Sequence, residues 1–251
     1  MNKDTDAVAA WMAALEERHL ADFRLQEVTR ALRAVSSAYV ERRAAARAVL
    51  DTAGKRAAFA LFYAPLHLLA VRHVVEALGA GAPPPASILD IGCGTGAAGA
   101  AWALAAGGTP LVTGVDRHPW AAAEARWTYA ALRLSGRART GHAERRLPAI
   151  ARGDAGVAGW VMNEMDAAAR GALERHLFEA AARGARVLVV EPIARRITPW
   201  WPETAGRVLA AGGREDDWKI PIDLPARVRQ LDRAAGLDHR VLACRTLYLS
   251  P

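Results

Sequence analysis

The segment that most constrains the fold is an apolar run that ends in three alternating glycines. Residues 88–96 read Ile-Leu-Asp-Ile-Gly-Cys-Gly-Thr-Gly, and the small residues of 97–106 follow directly. The apolar run predicts a buried strand, and the small-residue segment predicts a helix. Glycines permit a tight turn and let the backbone approach a ligand, while the first turn of a helix presents free N–H groups. The segment therefore predicts a ligand-binding turn between a strand and a helix.

Short apolar runs and helical patterns alternate through the chain after residue 86. Strands are predicted at 87–91, 111–116, 138–141, 157–162 and 186–191, with one or two more within 240–249, and helices at 97–106, 120–134, 167–182 and 224–235. Such alternation is typical of a parallel sheet with helices on both faces. The predicted fold class is therefore α/β, with a doubly wound, mostly parallel sheet.

The first third of the chain has a helical composition. Ala, Leu, Arg and Glu dominate, and apolar residues recur at three- to four-residue spacing. Breaks near Asp51–Gly54 and at Pro65 predict three or four helices. We therefore predict an N-terminal helical cap over 1–80, a Gly/Pro-rich linker over 81–85 and a ligand-binding domain over 86–251.

The charge gives little support for a nucleic-acid partner. The chain has 33 Lys+Arg against 26 Asp+Glu, a net charge of +7. Only three of the basic residues are lysines, and the excess is spread along the chain instead of forming a basic block. Such a composition fits codon bias toward arginine, and it makes a polyanion one alternative among several.

Several features favour a cytoplasmic protein without a membrane segment. The two cysteines, Cys93 and Cys244, are too few for a disulfide framework or a zinc site, and the N-terminus lacks the layout of a signal peptide. The uncharged stretch 91–115 is longer than a membrane span, but seven glycines and one proline predict a loop, a helix and a strand there. No histidine pair combines with acids at a metal-binding spacing, so no metal is predicted.

A second element strengthens the ligand-binding turn. The next predicted strand ends in Asp116, 20 residues after Gly96, and a carboxylate there can accept hydrogen bonds from both ribose hydroxyls of a nucleoside. Residues 94–99 also satisfy the dinucleotide fingerprint, so a nicotinamide enzyme is an alternative. Asp90 favours a ligand with a cationic amino group over a pyrophosphate, because its charge lies beside the loop. S-adenosylmethionine carries an ammonium and a sulfonium.

These motifs resemble the class I, seven-strand S-adenosylmethionine-dependent methyltransferases over residues 86–251. The resemblance implies a seven-stranded, Rossmann-like sheet and S-adenosylmethionine as cofactor. The cofactor-binding residues that it implies are Asp90, Gly92, Cys93, Gly94, Gly96, Asp116, Arg117, His142, Ala143 and Asn163. At His142 the family often has Asp, so the adenine contact departs from the family pattern.

The fourth predicted strand ends in Val-Met-Asn-Glu-Met-Asp over 161–166. By resemblance this end of the strand faces the transferred methyl group, which makes Asn163 and Glu164 the candidate catalytic residues. Asn163 would orient the substrate, and Glu164 would accept a proton or bind a cation. Helix capping by Asn163 or Asp166 is the alternative. The family's Asn/Asp-Pro-Pro-aromatic signature for exocyclic amino groups is missing, and neither cysteine is placed for C5 pyrimidine chemistry.

Candidate substrate residues lie in three places. Glu191 ends the fifth predicted strand. Residues 193–223 show no long element and predict a lid, in which Trp200 and Trp201 either stack a planar substrate or pack the loop onto the body. In the cap, Tyr63 and His67 are four residues apart and share a face if the helix continues past Pro65.

The predicted function is methyl transfer to an O or N acceptor, foremost on a small molecule. The alternative is an RNA- or ribosome-associated methyltransferase-like protein. The strand ends Asn163-Glu164 and Glu191-Pro192 faintly resemble the small-subunit ribosome assembly branch, whose metal-binding cysteines this chain lacks. Further alternatives are a non-catalytic cofactor-binding module and an NAD-dependent oxidoreductase.

Overall fold

The computed structural model describes residues 3–41 and 50–251. Residues 1–2 and 42–49 of the predicted cap lie outside the described residues. The N-terminal helical elements are α1 (Lys3–Leu20), α2 (Leu25–Glu41), α3 (Ala53–Ala58), a π-helical turn (Phe59–Tyr63) and α4 (Ala64–Ala77). The predicted break near Asp51–Gly54 is confirmed, because a new helix, α3, begins there and the Thr52 side chain caps it by accepting a hydrogen bond from the Lys55 N–H.

The predicted break at Pro65 is wrong, because the helix continues through this residue to Ala77. The π-helical turn lies just before it, and the Ala64 N–H donates to the carbonyl of Phe59, five residues back. A proline removes one helical N–H and crowds the carbonyl four residues earlier. The widened turn is where the helix accommodates both effects.

The continuous helical run Ala53–Ala77 also has the length and apolarity of a membrane-crossing helix. Its most apolar window has a mean hydropathy of 1.5, and 72% of that window is buried inside the protein. The core helix of a soluble protein passes the same test, so this is weak evidence for a membrane. The uncharged stretch 91–115, by contrast, forms a loop, a helix and a strand as predicted.

Seven strands form one sheet in the order β3-β2-β1-β4-β5-β7-β6. The strands are β1 (Ser87–Ile91), β2 (Leu111–Asp116), β3 (Gly136–Thr140), β4 (Ala155–Gly159), β5 (Arg186–Pro192), β6 (Arg214–Pro221) and β7 (Val241–Leu249). The first five pair in parallel, and β7 pairs antiparallel with β5. The order reverses between β1 and β4, and in such sheets ligands bind beyond the carboxyl ends of the strands at this point. The predicted α/β fold class is confirmed.

Five helices complete the fold: α5 (Ala97–Ala105), α6 (Pro119–Ala131), α7 (Ala167–Ala182), α8 (Trp201–Ala210) and α9 (Ala226–Ala235). Helix α5 packs on β1, β2 and β4, α6 packs on β2 and β3, and α7 packs on β5. Of the one or two strands predicted within 240–249, the structure forms one, β7.

The structure corrects two of the predicted elements. Strand β4 ends at Gly159, three residues before the predicted end, and the chain then leaves the sheet. The segment 193–223, predicted without a long element, contains α8 and β6. Strand β6 lies at the edge of the sheet and is mostly polar and exposed, so it carries no hydrophobic alternation that would reveal a strand.

The chain forms two compact units whose bounds differ from the predicted domains. One unit consists of 1–67 and 221–242, and the other of 68–220 and 243–251. Within the first unit, α9 packs on α2, and Arg227 of α9 forms a 2.7 Å ion pair with Glu16 of α1. The second unit holds the parallel strands. The roles of the helical unit as a cap and of 193–223 as a lid stay predictions.

Tyr129 of α6 is fully buried, and glycines from three elements make room for it. A Cβ atom at Gly96, Gly114 or Gly136 would lie within 3 Å of a Tyr129 side-chain atom. At Gly136 the distance to the ring would be 2.5 Å. The sheet, the glycine loop and α6 can therefore approach each other only because these positions lack side chains.

Gly136→Ala should lower the free energy of unfolding by about 1–3 kcal/mol, the usual cost of overpacking. Chemical denaturation measures the effect. The matched control is Gly206→Ala in α8, where, apart from the adjoining residues and backbone of α8 itself, no heavy atom of the described residues lies within 4 Å of the added Cβ. This control should be neutral or stabilising, since alanine favours helix. Equal effects at the two positions would contradict the packing argument.

Candidate functional site

The glycine loop follows β1 and is tied to β2. Gly92, Gly94 and Gly96 have φ angles of +64°, +51° and +82°, a region that favours glycine. The N–H groups of Gly92 and Cys93 donate to the carbonyl of Val115 at 2.8 and 3.1 Å. Gly96 forms the N-cap of α5 and, as a glycine, makes no side-chain capping hydrogen bond. In the first turn of α5 the Gly99 N–H donates to the Asp90 side chain, so this turn is tied to β1 and not to its own N-cap residue.

The loop also touches the chain beyond β4. A Cβ atom at Gly92 would lie 2.3 Å from the Cγ2 atom of Val161. The positive φ and this contact both exclude a side chain at Gly92. The loop and the segment after β4 thus meet at the point where the strand order reverses.

Asp90 is buried in this structure, with 1% of its surface exposed. Its Oδ2 atom accepts hydrogen bonds from the Gly99 N–H at 2.9 Å and from the Tyr129 hydroxyl at 3.3 Å. Burial raises the pKa of Asp90 to about 7, while the two donors lower it. Asp90 thus joins β1 to α5 and α6. Its predicted contact with a cationic amino group stays a prediction.

Asp116 connects three of the predicted cofactor-binding segments. Its Oδ2 atom accepts the Gly94 N–H at 2.8 Å, and its Oδ1 atom accepts the His118 N–H at 2.7 Å. Its backbone carbonyl accepts the Gly141 N–H at 2.8 Å. Burial raises the pKa of this carboxyl group, and the two backbone donors lower it. The loop, the end of β2 and the segment after β3 therefore lie side by side.

The segment after β3 has one exposed and one buried candidate. Ala143 is buried, and the His142 side chain is 54% exposed with its Nδ1 atom 3.1 Å from Glu144 Oε1. Cys93 is also buried, and burial raises the pKa of its thiol well above the usual value. Cys93 is therefore an apolar packing residue of the loop.

Trp160, directly after β4, is a residue that the sequence analysis missed. Its φ angle is +54°, and its N–H donates to the carbonyl of Val190 at 2.7 Å. A left-handed conformation costs a residue with a Cβ about 1–2 kcal/mol, and such strain is concentrated at functional sites. No local pattern revealed it, because Trp160 continues the apolar run that predicted a strand over 157–162.

The turn that carries Asn163 and Glu164 is held by Glu191. Residues Met162–Glu164 form one 3-10 turn. The Oε1 atom of Glu191 accepts the N–H groups of Met162 at 2.8 Å and of Asn163 at 3.2 Å. The Oε2 atom of Glu191 and the Oδ1 atom of Asn163 are buried without a partner among the described residues. Glu191 is 0% exposed, so it braces this turn in the present structure.

Glu164 faces the end of β2. Its Oε2 atom lies 3.6 Å from Arg117 Nη2, and 28% of its side chain is exposed. Desolvation raises the pKa of Glu164 to about 7, Arg117 lowers it, and Asp116 raises it. The predicted alternative of capping is confirmed for Asp166, whose side chain accepts the Ala169 N–H at 2.8 Å, and not for Asn163.

The two tryptophans after β5 are placed differently. Trp201 is 1% exposed, and its Nε1–H donates to Glu215 at 2.6 Å. The Arg245 guanidinium lies 4.9 Å from the centre of the Trp201 ring. Trp200 is partly buried against the core, with Arg170 5.1 Å from its ring centre. Trp201 therefore packs the segment onto the body, whereas Trp200 is only partly buried, with its Nε1 atom buried without a partner among the described residues.

Tyr63 and His67 lie in the helical unit and share a face, as predicted. Their ring centres are 6.0 Å apart, and Phe59 lies 5.5 and 6.1 Å from them. Desolvation raises the pKa of Tyr63 to about 12 and lowers that of His67 to about 3. Both side chains are therefore uncharged at neutral pH. Their role toward a substrate stays a prediction.

Within the part of the chain that the structure describes, no group of three or more His, Cys, Asp or Glu side chains could hold a metal ion. The arrangement instead offers a helix N-terminus whose N-cap residue has no side chain, an acid at the end of β2, an acid beyond β4 and an acid near the end of β5. It can cradle a polar ligand and exchange a proton near neutral pH.

No protein-family model and no curated protein matches the chain. The chain does match solved structures. The chain is similar to the plantazolicin methyltransferase BpumL in complex with a monoazolic desmethylPZN analog and SAH, at 10% identity, over 95% of this chain and 100% of that chain, with a TM-score of 0.54. A second BpumL structure, in complex with SAH, gives 11% identity over 96% and 99% of the two chains and a TM-score of 0.53.

Magnesium protoporphyrin IX methyltransferase (ChlM) from Synechocystis PCC 6803 with bound SAM covers 74% of this chain and 79% of its own, at 18% identity. Its TM-score of 0.48 is too low to carry an argument. At such identities the BpumL likeness shows the fold alone. The chain therefore has the seven-stranded, Rossmann-like fold of these methyltransferases.

The backbone strain at Trp160 can be measured by comparing two variants. Trp160→Gly should be more stable than Trp160→Ala by about 1 kcal/mol, because both lose the ring and only glycine adopts a positive φ without strain. Denaturant unfolding measures both. At the control position Trp127, within α6, the alanine variant should be the more stable by about 1 kcal/mol. The same order at both positions would argue against strain.

Proposed function

We propose that the chain is an S-adenosylmethionine-dependent methyltransferase that transfers a methyl group to an O or N acceptor on a small molecule. The observation that carries the proposal is the 2.8 Å hydrogen bond from the Gly94 N–H to Asp116. It joins the glycine loop, whose glycines have positive φ angles, to an acid at the carboxyl end of β2. Ligands bind beyond the carboxyl ends of the strands in this fold. The likeness to BpumL, solved with a monoazolic desmethylPZN analog and SAH, supports it.

The residues present fit this cofactor. The glycine loop and the start of α5, whose N-cap residue Gly96 has no side chain, would offer N–H groups to its carboxylate. Asp116 uses each carboxylate oxygen once and keeps lone pairs for the two ribose hydroxyls. The segment after β3 lies beside Asp116, where His142 and Ala143 would flank the adenine. When bound, S-adenosylmethionine supplies an electrophilic methyl group on a sulfonium.

Glu164 and Asn163 would act on the acceptor. With a pKa of about 7, the Glu164 carboxyl group is partly ionised at neutral pH and can take a proton from an O–H or N–H acceptor. Arg117 would hold the ionised form in place. The side-chain amide of Asn163 would orient the acceptor, because the backbone N–H of the same residue is anchored to Glu191. Trp200, Tyr63 and His67 remain proposed substrate contacts, whereas the buried Trp201 is a packing residue.

Asp116→Ala should weaken SAH binding about 10- to 100-fold, since hydrogen bonds to charged groups contribute about 1.5–3 kcal/mol. Titration calorimetry measures the affinity. The control is Asp223→Ala, whose side chain is 92% exposed and forms an ion pair with Arg229. A thermal-shift assay on the wild-type protein distinguishes the methyltransferase proposal from the oxidoreductase alternative, because a bound ligand raises the melting temperature. Stabilisation by NAD and not by SAH would overturn the proposal.

Glu164→Gln should lower kcat about 100-fold or more with the SAH affinity nearly kept, because only the proton acceptor is lost. The wild-type rate should rise with pH through about 7 as Glu164 ionises, and the variant should lose that rise. Transfer of labelled methyl groups to fractionated host extract provides the assay. Glu76→Gln, at an exposed ion pair on α4, is the matched control. Unchanged turnover would remove Glu164 from the site.

An RNA-associated role has one structural observation in its favour. Strand β3 and its flanking loops expose five arginines with a single nearby acid, Glu144: Arg133, Arg137, Arg139, Arg145 and Arg146. Such a surface fits a phosphate backbone. Binding of RNA that falls steeply with salt would support this role. Label that appears in RNA, and not in small molecules, would replace the first proposal by this one.

The labelling experiment also covers the non-catalytic alternative. A module that only holds the cofactor would bind SAH and label no fraction of the extract. The cytoplasmic location stays a prediction, which fractionation of the host cell would test.

A further inference from the structure

We propose that Glu191 is a positioning residue whose buried carboxyl group holds the turn Met162–Glu164 and thereby sets where Asn163 and Glu164 meet the methyl acceptor. The sequence analysis took Glu191 for a substrate contact. Its side chain is 0% exposed, and the groups within hydrogen-bonding distance of Oε1 are backbone N–H groups of that turn. The inference rests on the proposed methyl transfer and assigns this residue a different task in it.

The hydrogen-bond ladder between β4 and β5 shows why the turn needs an anchor. The two strands pair in register from Ala155 with Arg186 to Gly159 with Val190. The bond from the Trp160 N–H to the Val190 carbonyl is the next one. There the backbone turns left-handed, and the chain leaves the sheet. Glu191 is the next residue of β5. Beyond the last backbone bond between the two strands, its side chain accepts the following N–H groups.

The Glu191 carboxyl group satisfies two consecutive backbone donors. Met162 is fully buried, so water cannot replace the acceptor of its N–H. A buried donor without a partner costs about 1–3 kcal/mol. Without an acceptor at position 191, the turn would therefore shift to find other partners, and Asn163 and Glu164 would move with it.

The charge state of Glu191 depends on burial and on groups of the turn Met162–Glu164 and of α7. Burial raises its pKa to about 8; the two N–H donors and Arg170 of α7 lower it, and Glu164 raises it. Arg245 of β7 is its partner in register and bonds to Asp217 of β6 at 3.3 Å. A pKa of about 8 makes the neutral form of Glu191 the main one at pH 7, and Oε1 accepts both N–H groups. Ionisation would put a second negative charge near Glu164.

Because the pKa of Glu191 is higher in the folded state than in the unfolded chain, this group stabilises the fold more at low pH than at high pH. The folded state holds a proton that the unfolded chain releases near pH 4.5. The contribution of this group is fully present below that pH and is lost as the pH rises through about 8. Glutamine imitates the neutral acid, since it keeps the acceptor oxygen and cannot ionise. Leucine keeps the volume and loses the acceptor.

The experiment compares Glu191→Gln and Glu191→Leu with the surface control Glu76→Gln. In labelled methyl transfer, the glutamine variant should keep the wild-type kcat at pH 7 and lose the wild-type decline above pH 8. The leucine variant should lose about 100-fold in kcat, as expected for misplaced groups, with SAH affinity nearly unchanged. Equal losses in both variants would mean that Glu191 acts through its charge, and would overturn the proposal.

A second measurement does not depend on activity. Amide hydrogen exchange at Met162 and Asn163 should be faster in the leucine variant and unchanged in the glutamine variant. If the leucine variant does not fold, urea unfolding decides: stability should fall between pH 6 and 8.5 in wild type and fall less in the glutamine variant. Unchanged exchange, or an unchanged pH dependence, would overturn the positioning role. Absence of SAH binding would instead overturn the proposed function and leave these two results intact.

Discussion

The hydrogen bond between the Gly94 N–H and the Asp116 carboxylate is the interaction on which the site depends. It forms because β1 and β2 end at the same edge of the sheet, with Ile91 opposite Val115. Two further bonds from the loop to the Val115 carbonyl fix the loop beside β2. The segment after β3 is then placed by its bond to the Asp116 carbonyl. One acid thus aligns three segments that are far apart in sequence.

This alignment requires very small residues beneath it. Asp90 and Tyr129 are buried between β1, α5 and α6, and a Cβ at Gly99 or Gly96 would come within 3 Å of one of them. Burying an acid is costly, and Asp90 offsets part of that cost by accepting two hydrogen bonds. The glycines therefore serve two purposes: they shape the ligand-binding loop, and they let a polar pair fill the space behind it.

The predictable parts of the molecule are those that local patterns encode. The bounds of β1, β2 and α7 match the predicted ranges because apolar runs, glycines and an Asp cap mark them. The end of β4 was not predictable, since Trp160 and Val161 continue an apolar run and only the tertiary structure makes Trp160 left-handed. Strand β6 was missed because an exposed edge strand needs no apolar alternation. The sequence predicts Glu191 as a substrate residue, but its burial depends on tertiary packing that the sequence of β5 alone does not reveal.

The acids beyond the strands share one property that bears on function. Desolvation raises the pKa of Asp116 and Glu164, so these two carboxyl groups hold protons more tightly than free carboxyl groups do. A cation that binds beside them favours their ionised forms and lowers these pKa values. By linkage, such a ligand must release protons when it binds, and its affinity must rise with pH over the range in which the acids titrate. In the proposed reaction, a sulfonium donor and Glu164 are therefore coupled: binding of the cation would favour the carboxylate form of Glu164 that accepts the proton.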